Sequence, residues 1–167
     1  MTAQKESSVR QKYRDLTLLL IERGITVSTM ESCTAGQIAS LITDTEGSSA
    51  VFRGSYVAYC NDEKIRLGVP AEVIDSYGVY SEQTASEMAR LCRHDFRTDL
   101  GVGISGTFGN TDPNNSDSVP GEVFFAISTA KETRSFHCTI PTQRTRFDYK
   151  LYMADAVADH ILEELGK

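Results

Sequence analysis

The chain has 167 residues, of which 40% are hydrophobic, a formal net charge of −6 at pH 7 and a sequence pI of about 5.1. This size and apolar content are typical of one globular domain with a hydrophobic core. The acidic balance argues against a general nucleic-acid-binding protein, which presents a basic face. No apolar run approaches the ~20 residues needed to cross a bilayer, and no apolar segment precedes a cleavage site near the N-terminus. The sequence therefore predicts a cytoplasmic protein.

Hydrophobic periodicity predicts alternating helices and strands in the first half of the chain. Gly24 follows the first helical pattern at the position that favours left-handed backbone. The elements predicted there are a polar, disordered segment at residues 1–7, a helix at 8–23, a strand at 25–30, a tight turn at 31–36, a helix ending near residue 43, a strand at 51–60 and a short helix that carries Lys64.

The second half of the chain contains the longest stretch without a periodic pattern, residues 107–120, which has the length of a lid or binding loop. The predicted elements are a helix opened by Pro70, a helix from the N-cap Ser81 to about Phe96, a Gly-rich strand at 100–106, a hairpin of strands at 122–129 and 134–140, and a last helix at 143–165. Together the elements predict a single-domain layered α/β sandwich over residues 8–167, with a mixed sheet of about five strands.

The four cysteines are scattered through the chain and form no C-x-x-C pair, so the sequence predicts neither a zinc site nor a cofactor. A reducing compartment would keep these thiols unpaired. Three of them are expected to be small buried apolar residues: Cys60, Cys92 and Cys138.

The turn after the first predicted strand carries the residues of most chemical interest. Residues 31–36 read E-S-C-T-A-G and lie between a strand and a helix, where backbone N–H groups and the helix dipole favour negative charge. Ser32 can present its hydroxyl there, but a serine hydroxyl needs a base to become a nucleophile. No histidine is placed to act as this base. His94 falls late in a predicted helix, His137 in a predicted edge strand and His160 in the last predicted helix.

Several ordered motifs resemble the CinA C-terminal domain family, whose characterised members are nicotinamide-nucleotide amidohydrolases. The turn is similar to the E-S-C-T-G-G signature of that family, and further similar segments follow at 47–52, 59–64, 67–70, 79–82 and 104–106. The resemblance spans roughly residues 8 to 165. It implies the family's α/β fold and deamidation of nicotinamide mononucleotide (NMN) to nicotinic acid mononucleotide and ammonia, in pyridine nucleotide recycling. It also implies a homo-oligomer that needs no metal.

The resemblance further implies roles for individual residues. Ser32 would be the nucleophile, Lys64 its base, and Tyr59 a residue that assists proton transfer or orients the lysine. A lysine can act as a base only if burial or a neighbouring cation lowers its pKa well below ~10.4. Cys33 competes as the nucleophile, because a thiol is intrinsically more reactive and a helix N-terminus lowers its pKa. A cysteine nucleophile normally has a histidine partner, and none is placed here, so Ser32 is preferred.

Polar residues near the same turn are candidates for holding a nucleotide substrate. Hydroxyl-bearing and glycine-rich turns present N–H groups to anions, and arginines at the start of the last helix can reach a phosphate. The candidates are Thr34, Gly36, Ser48, Ser49, Asn61, Ser105, Gly106, Thr107, Arg144 and Arg146.

Two segments depart from the family pattern. The family continues S-G-I-A-G-P-x-G-G after the third strand, whereas residues 105–112 read S-G-T-F-G-N-T-D, and Ala35 replaces a glycine of the turn signature. Glycine lets the backbone approach a ligand closely, so these changes bear on substrate binding. They favour a second hypothesis, a nucleotide-binding or regulatory paralogue without turnover. A third hypothesis is an amidase that acts on another small amide with the same machinery.

Overall fold

A five-stranded sheet with helices on both faces organises the protein. The computed structural model describes residues 2–166. The elements in chain order are α1 (Thr2–Arg23), β1 (Val27–Glu31), α2 (Gln37–Thr43), a 3₁₀ helix (Ser48–Ala50), β2 (Phe52–Val57), α3 (Asn61–Leu67), α4 (Ala71–Tyr77), α5 (Glu82–Phe96), β3 (Leu100–Gly106), β4 (Glu122–Ser128), β5 (Thr133–Thr139) and α6 (Arg146–Leu165). No helix among the described residues is both long and apolar enough to span a bilayer.

The strand order is β2-β1-β3-β4-β5. β1 pairs in parallel with β2 and β3, whereas the β3–β4 and β4–β5 pairs are antiparallel. The sheet is therefore mixed and five-stranded, as the sequence predicts. Because β1, β2 and β3 run in the same direction, the segments that follow them emerge at one edge of the sheet.

Glycines in β3 allow α5 to pack directly on the sheet. A Cβ atom at Gly101 would lie 2.2 Å from the carbonyl oxygen of Ala89, and one at Gly103 would lie 2.3 Å from that of Ala85. The alternate residues Val102 and Ile104 belong to the core on the other face of the sheet, which α1, α2 and α6 cover. This period-2 alternation explains why the strand is rich in glycine.

The N-terminal segment is the clearest difference from the sequence-based prediction. Residues 1–7 are predicted to be disordered, whereas α1 extends to Thr2; Met1 lies outside the described residues. Two side-chain contacts stabilise this extra helix. The Lys5 ammonium lies 4.6 Å from the ring centroid of Tyr152, and Arg10 pairs with Glu6. The first of these contacts is tertiary, so the local polar composition does not reveal it.

Helix starts also differ slightly from prediction. Pro70 is the N-cap of α4 rather than its first residue. The last helix begins at Arg146 rather than near residue 143, because the Thr145 hydroxyl accepts a hydrogen bond from the Asp148 N–H at 3.1 Å and caps it there. Ser81 caps α5 in the same way, as predicted.

Candidate active site

The turn between β1 and α2 is built around the buried carboxylate of Glu31. Its Oε1 accepts hydrogen bonds from the Thr34 hydroxyl at 2.7 Å and the Ile38 N–H at 3.0 Å. Its Oε2 accepts from the Thr29 hydroxyl and the Ala39 N–H, both at 3.0 Å. The carboxylate thereby satisfies N–H groups at the start of α2. Thr34, a predicted substrate-binding residue, is fully buried, and its hydroxyl bonds to Glu31 within the turn.

The chain reverses direction in this turn through two residues with left-handed backbone. Ala35 has φ +48° and Gly36 has φ +89°. Gly36, also a predicted binding residue, thus supplies backbone geometry at the start of α2. An alanine in this conformation costs roughly 1–2 kcal/mol that a glycine avoids. Ala35 therefore keeps the turn of the family signature at some cost in stability.

Ser32 and Lys64 meet at this edge of the sheet. Nζ of Lys64 lies 3.1 Å from Oγ of Ser32 and 3.0 Å from the carbonyl oxygen of Ala58. Both side chains are buried, with relative exposures of 6% for Ser32 and 2% for Lys64. Ser32 follows β1 directly and Lys64 lies in α3 just after β2, so the parallel pairing of these strands brings the two residues together.

The buried amine of Lys64 has a strongly altered proton affinity. Burial lowers its pKa from the ordinary value of 10.5 to about 8, because the charged form loses solvation. The negative charge of Asp112 acts in the opposite direction. Near pH 8 a large fraction of the lysine is thus a neutral amine, whose lone pair can accept the proton of Ser32.

Cys33 is poorly suited to be the nucleophile. Burial, and to a lesser extent the nearby Glu31 carboxylate, raise the pKa of its thiol to about 12, while Lys64 opposes the shift. The N-terminus of α2 does not lower the pKa of this thiol enough to offset burial, because the Glu31 carboxylate already accepts hydrogen bonds from N–H groups at that end of the helix. Little thiolate is therefore present at neutral pH.

A cavity of about 660 Å³ lies beside Ser32. Its wall is formed by the turn after β1, residues 59–62 after β2, Tyr80, loop residues between 106 and 115, and Arg146. These segments follow the C-terminal ends of β1, β2 and β3, which is the usual place for ligands in open α/β sheets. The cavity has a volume that fits a small-molecule ligand.

Tyr59 is exposed, and its side chain bonds to an arginine. Its side chain is 62% exposed, and its hydroxyl accepts a hydrogen bond from Nη2 of Arg146 at 3.1 Å. Arg146 also lies over the ring of Phe108, with its guanidinium carbon 5.4 Å from the ring centroid. Tyr59 therefore contacts the predicted phosphate-binding arginine rather than the predicted base.

Three other predicted binding residues line the cavity: Asn61, Gly106 and Thr107. The polar groups of Thr107 are already engaged, since its N–H donates to the Glu122 carbonyl at 3.0 Å and its hydroxyl donates to the Val119 carbonyl at 2.5 Å. Thr107 therefore anchors the loop rather than offering a donor to a ligand.

Four predicted binding residues lie elsewhere. Ser48 and Ser49 precede β2, and the pairing of Val27 with Phe52 places them at the opposite end of β1 from Ser32. Ser105 is fully buried and donates to the carbonyl of Val79 at 2.9 Å. Arg144 is exposed and lines a different surface cavity, beside the start of α1.

The cysteine predictions hold only in part. Cys92 is buried as expected, whereas Cys138 is half-buried and Cys60 is exposed. Cys60 differs from the prediction because it follows the end of β2 and lines the cavity as the N-cap of α3.

Three polar residues of the site escape sequence reasoning. The Tyr80 hydroxyl donates to Oδ2 of Asp112 at 2.5 Å, and Nδ2 of Asn115 donates to the same oxygen at 2.7 Å. Nδ2 of Asn61 donates to Oδ1 of Asn115 at 2.8 Å and so fastens the loop to α3. Tyr80 lies in the similar segment at 79–82, and for the two loop residues the signal is the density of Asn, Asp and Ser between residues 110 and 118, which is typical of turns but does not reveal partners.

Curated proteins share this sequence pattern. A CinA-like protein of Flavobacterium psychrophilum is 44% identical over 116 residues, which are 68% of this chain and 27% of that protein. A CinA-like protein of Rippkaea orientalis is 35% identical over 149 residues, which are 88% of this chain and 36% of that protein. The chain spans about a third of the length of the curated relatives it matches.

Solved structures share the fold over nearly the whole chain. Competence/damage inducible protein CihA from Agrobacterium tumefaciens has a TM-score of 0.84 and 27% identity, covering 93% of this chain and 94% of that one. The competence or damage-inducible protein from Enterobacter asburiae has a TM-score of 0.85 and 25% identity, covering 94% and 98%. These matches confirm the predicted fold class. The family model of the CinA C-terminal domain matches residues 10–164, and the chain therefore belongs to the CinA C-terminal domain family.

Proposed function

We propose that the protein is an amidohydrolase that converts NMN to nicotinic acid mononucleotide and ammonia. The observation that carries this proposal is the 3.1 Å contact between Oγ of Ser32 and the buried amine of Lys64, beside a cavity of about 660 Å³. A serine hydroxyl with a neutral amine within hydrogen-bonding reach is an activated nucleophile. The substrate is inferred from the family resemblance.

In the first step, the neutral amine of Lys64 accepts the Ser32 proton while Oγ attacks the carboxamide carbon. The Ala58 carbonyl accepts a hydrogen bond from the same nitrogen and so orients its lone pair toward Ser32. The carbonyl double bond of the substrate opens to a tetrahedral oxyanion, and Lys64 becomes an ammonium ion.

The turn offers backbone donors for this oxyanion. Within residues 2–166, the N–H groups of Cys33 and Thr34 donate to no backbone carbonyl, whereas the Ala35 N–H donates to the Ser32 carbonyl at 3.0 Å. Donors that face the developing negative charge lower the barrier of acyl transfer. We assign the oxyanion site to the Cys33 amide, because Cys33 lines the cavity.

Collapse of the tetrahedral intermediate completes the cycle. The Lys64 ammonium returns its proton to the leaving nitrogen, the C–N bond breaks, and ammonia leaves an ester on Ser32. The neutral amine then takes a proton from a water molecule, which attacks the ester carbonyl. When the C–Oγ bond breaks, Lys64 returns this proton to Oγ, so that nicotinic acid mononucleotide leaves and Ser32 and the neutral amine are restored. We assign phosphate binding during both steps to the Arg146 guanidinium, which lies at the cavity wall.

Ammonia release from NMN by the purified protein tests this proposal. Ser32→Ala is expected to lower kcat by about 10³-fold or more, and Lys64→Met by a similar factor. Ser49→Ala is a matched control, because Ser49 lies at the far end of β1. Equal rates for wild type and Ser32→Ala would overturn the proposal.

The binding-module hypothesis predicts a different result from the same samples. A paralogue without turnover would be stabilised against heat by NMN but would release no ammonia. The altered loop and the retained cavity are the features that favour this second candidate.

A further inference from the structure

The cavity wall carries both negatively and positively charged side chains. The charged side chains that line it are Asp62, Asp112 and Arg146. Arg146 is held by Tyr59 on one side of the cavity, and Asp112 is held by Tyr80 on the loop. A ligand that fills the cavity would therefore match it best if it carried both a positive and a negative group.

The Asp112 carboxylate is held as an anion. Oδ2 accepts hydrogen bonds from Tyr80 at 2.5 Å and from Asn115 at 2.7 Å, and Oδ1 accepts the Asn114 N–H at 2.9 Å. Hydrogen bonds to the charged form favour ionisation, and the one from Tyr80 is the main reason that the pKa of Asp112 lies below its ordinary value. Asp112 is thus negative at neutral pH.

The hydrogen bonds favour a carboxylate at this position. Asp112 accepts at both of its oxygens, whereas an asparagine would offer one acceptor oxygen and an NH2 group. The carboxylate also lines the cavity beside Ser32, and its charge favours the ammonium form of Lys64. When Lys64 becomes neutral to act as a base, Asp112 loses this positive neighbour, and a cation from the substrate would replace it.

We propose that Asp112 is a specificity-determining residue that selects substrates whose amide-bearing ring is positively charged, as a pyridinium ring is. This proposal rests on the proposed function. In a nicotinamide nucleotide, a single ring carbon separates the positive ring nitrogen from the carbon that bears the carboxamide. A carboxamide bound at Ser32 therefore brings the ring cation into the cavity that Asp112 lines. The phosphate, attached through the ribose, extends toward Arg146.

The same charge would help the product to leave. Deamidation replaces a neutral carboxamide by a carboxylate, which the Asp112 anion repels. The residue would thus favour the substrate and disfavour the product.

Binding to two ligands tests the proposal. NMN and its 1,4-dihydro form share the carboxamide, ribose and phosphate, but only NMN has a cationic ring. The protein with Ser32→Ala avoids turnover and is titrated with each ligand by calorimetry. We expect NMN to bind about tenfold more tightly than the dihydro form. Adding Asp112→Asn should remove most of this preference, whereas Asp112→Glu should retain part of it.

Asp117→Asn is the matched control, because it removes a negative charge from the same loop at an exposed position outside the cavity wall. It should leave the preference unchanged. Thermal unfolding of each variant shows whether it is folded. If Asp112→Asn does not fold, Tyr80→Phe replaces it, because this variant keeps the carboxylate but removes one hydrogen bond that holds it. Tyr80→Phe should reduce the preference.

If Asp112→Asn weakens the binding of both ligands equally, the preference for NMN over the dihydro form is intact. That result would overturn the proposal and leave a structural role for Asp112. That outcome is separable from failure of the proposed function. If wild type releases ammonia from NMN while the preference survives in Asp112→Asn, only the charge proposal falls. If wild type releases no ammonia but Asp112→Asn loses the preference, only the proposed reaction falls.

Discussion

The Tyr59 hydroxyl accepts a hydrogen bond from Nη2 of Arg146 at 3.1 Å, although the two residues are 87 positions apart. This contact joins the segment after β2 to the first residue of α6. It fixes the guanidinium at the wall of the cavity, where Arg146 is proposed to hold a phosphate. Tyr59 is thus proposed to position a binding residue rather than to move a proton.

Tyr59→Phe is expected to raise the KM for NMN by about fivefold and to leave kcat nearly unchanged, because one hydrogen bond that orients Arg146 is lost. Steady-state kinetics with NMN measures both constants. Tyr77→Phe, at an exposed position of α4, is the control and should change neither. A large fall in kcat with an unchanged KM would contradict this role and support proton transfer by Tyr59.

The rate of the proposed reaction should rise with pH through about pH 8. The pKa of Lys64 is lowered to about 8, chiefly by burial, and only the neutral amine can accept the Ser32 proton. Measuring kcat from pH 6 to 10 at constant ionic strength tests this. In Asp112→Asn the midpoint should move to lower pH, because the lost negative charge no longer favours the ammonium form. A rate that falls across this range would rule out Lys64 as the base.

The same buried amine should make stability depend on pH. Between about pH 8 and the ordinary pKa of 10.5, unfolded Lys64 binds a proton that the folded protein lacks. The free energy of unfolding should therefore rise with pH in this window, by about 3 kcal/mol in total. Below pH 8 the cost of burying the charge is fully present.

Urea unfolding at several pH values, compared with Lys64→Met, isolates this contribution. The difference in the free energy of unfolding between wild type and Lys64→Met should change between about pH 8 and pH 10.5. Lys131→Met, in the exposed hairpin turn, should show the same pH dependence as wild type. A difference that does not vary with pH would mean that the pKa of Lys64 is not shifted.

Ala35→Gly tests the cost of the left-handed backbone in the turn. Removing the methyl group relieves the strain at φ +48°, while the more flexible unfolded chain offsets much of this gain. The free energy of unfolding should therefore stay near that of wild type or rise by up to about 1 kcal/mol. Ala39→Gly, inside α2, is the matched control, and its free energy of unfolding should be about 1 kcal/mol lower than that of wild type. Equal losses in the two variants would show that the conformation of Ala35 is not strained.

The sheet was predictable because its signals are local. The alternating glycines of β3, the Ser81 cap and the hairpin around residues 129–132 each depend on neighbours within a few positions. The start of α1 was not predictable in this way, because it depends partly on a contact between Lys5 and Tyr152. Short polar segments near a terminus fold or fray according to such tertiary partners.

The candidate site was predictable only where the resemblance marked it. Ser32 and Lys64 fall in motifs, but Ser48 and Ser105 also fall in motifs and lie outside the cavity. Whether a residue reaches the cavity depends on the register of its strand and on the face of the sheet from which its side chain projects. A shift of one residue in the register moves the side chain to the other face. The contact of Tyr80 with Asp112 depends on the path of an irregular loop, for which the sequence carries no periodic signal.

The attachment of Ser32 and Lys64 to neighbouring parallel strands has a consequence for protein engineering. Backbone pairing between β1 and β2 sets the distance between these residues, whereas loop 107–121 contributes much of the wall that a ligand would touch. The loop can therefore be exchanged for those of relatives without rebuilding the serine–lysine pair. Chimeras of this kind should inherit ligand preference from the donor loop and the reactive pair from this scaffold.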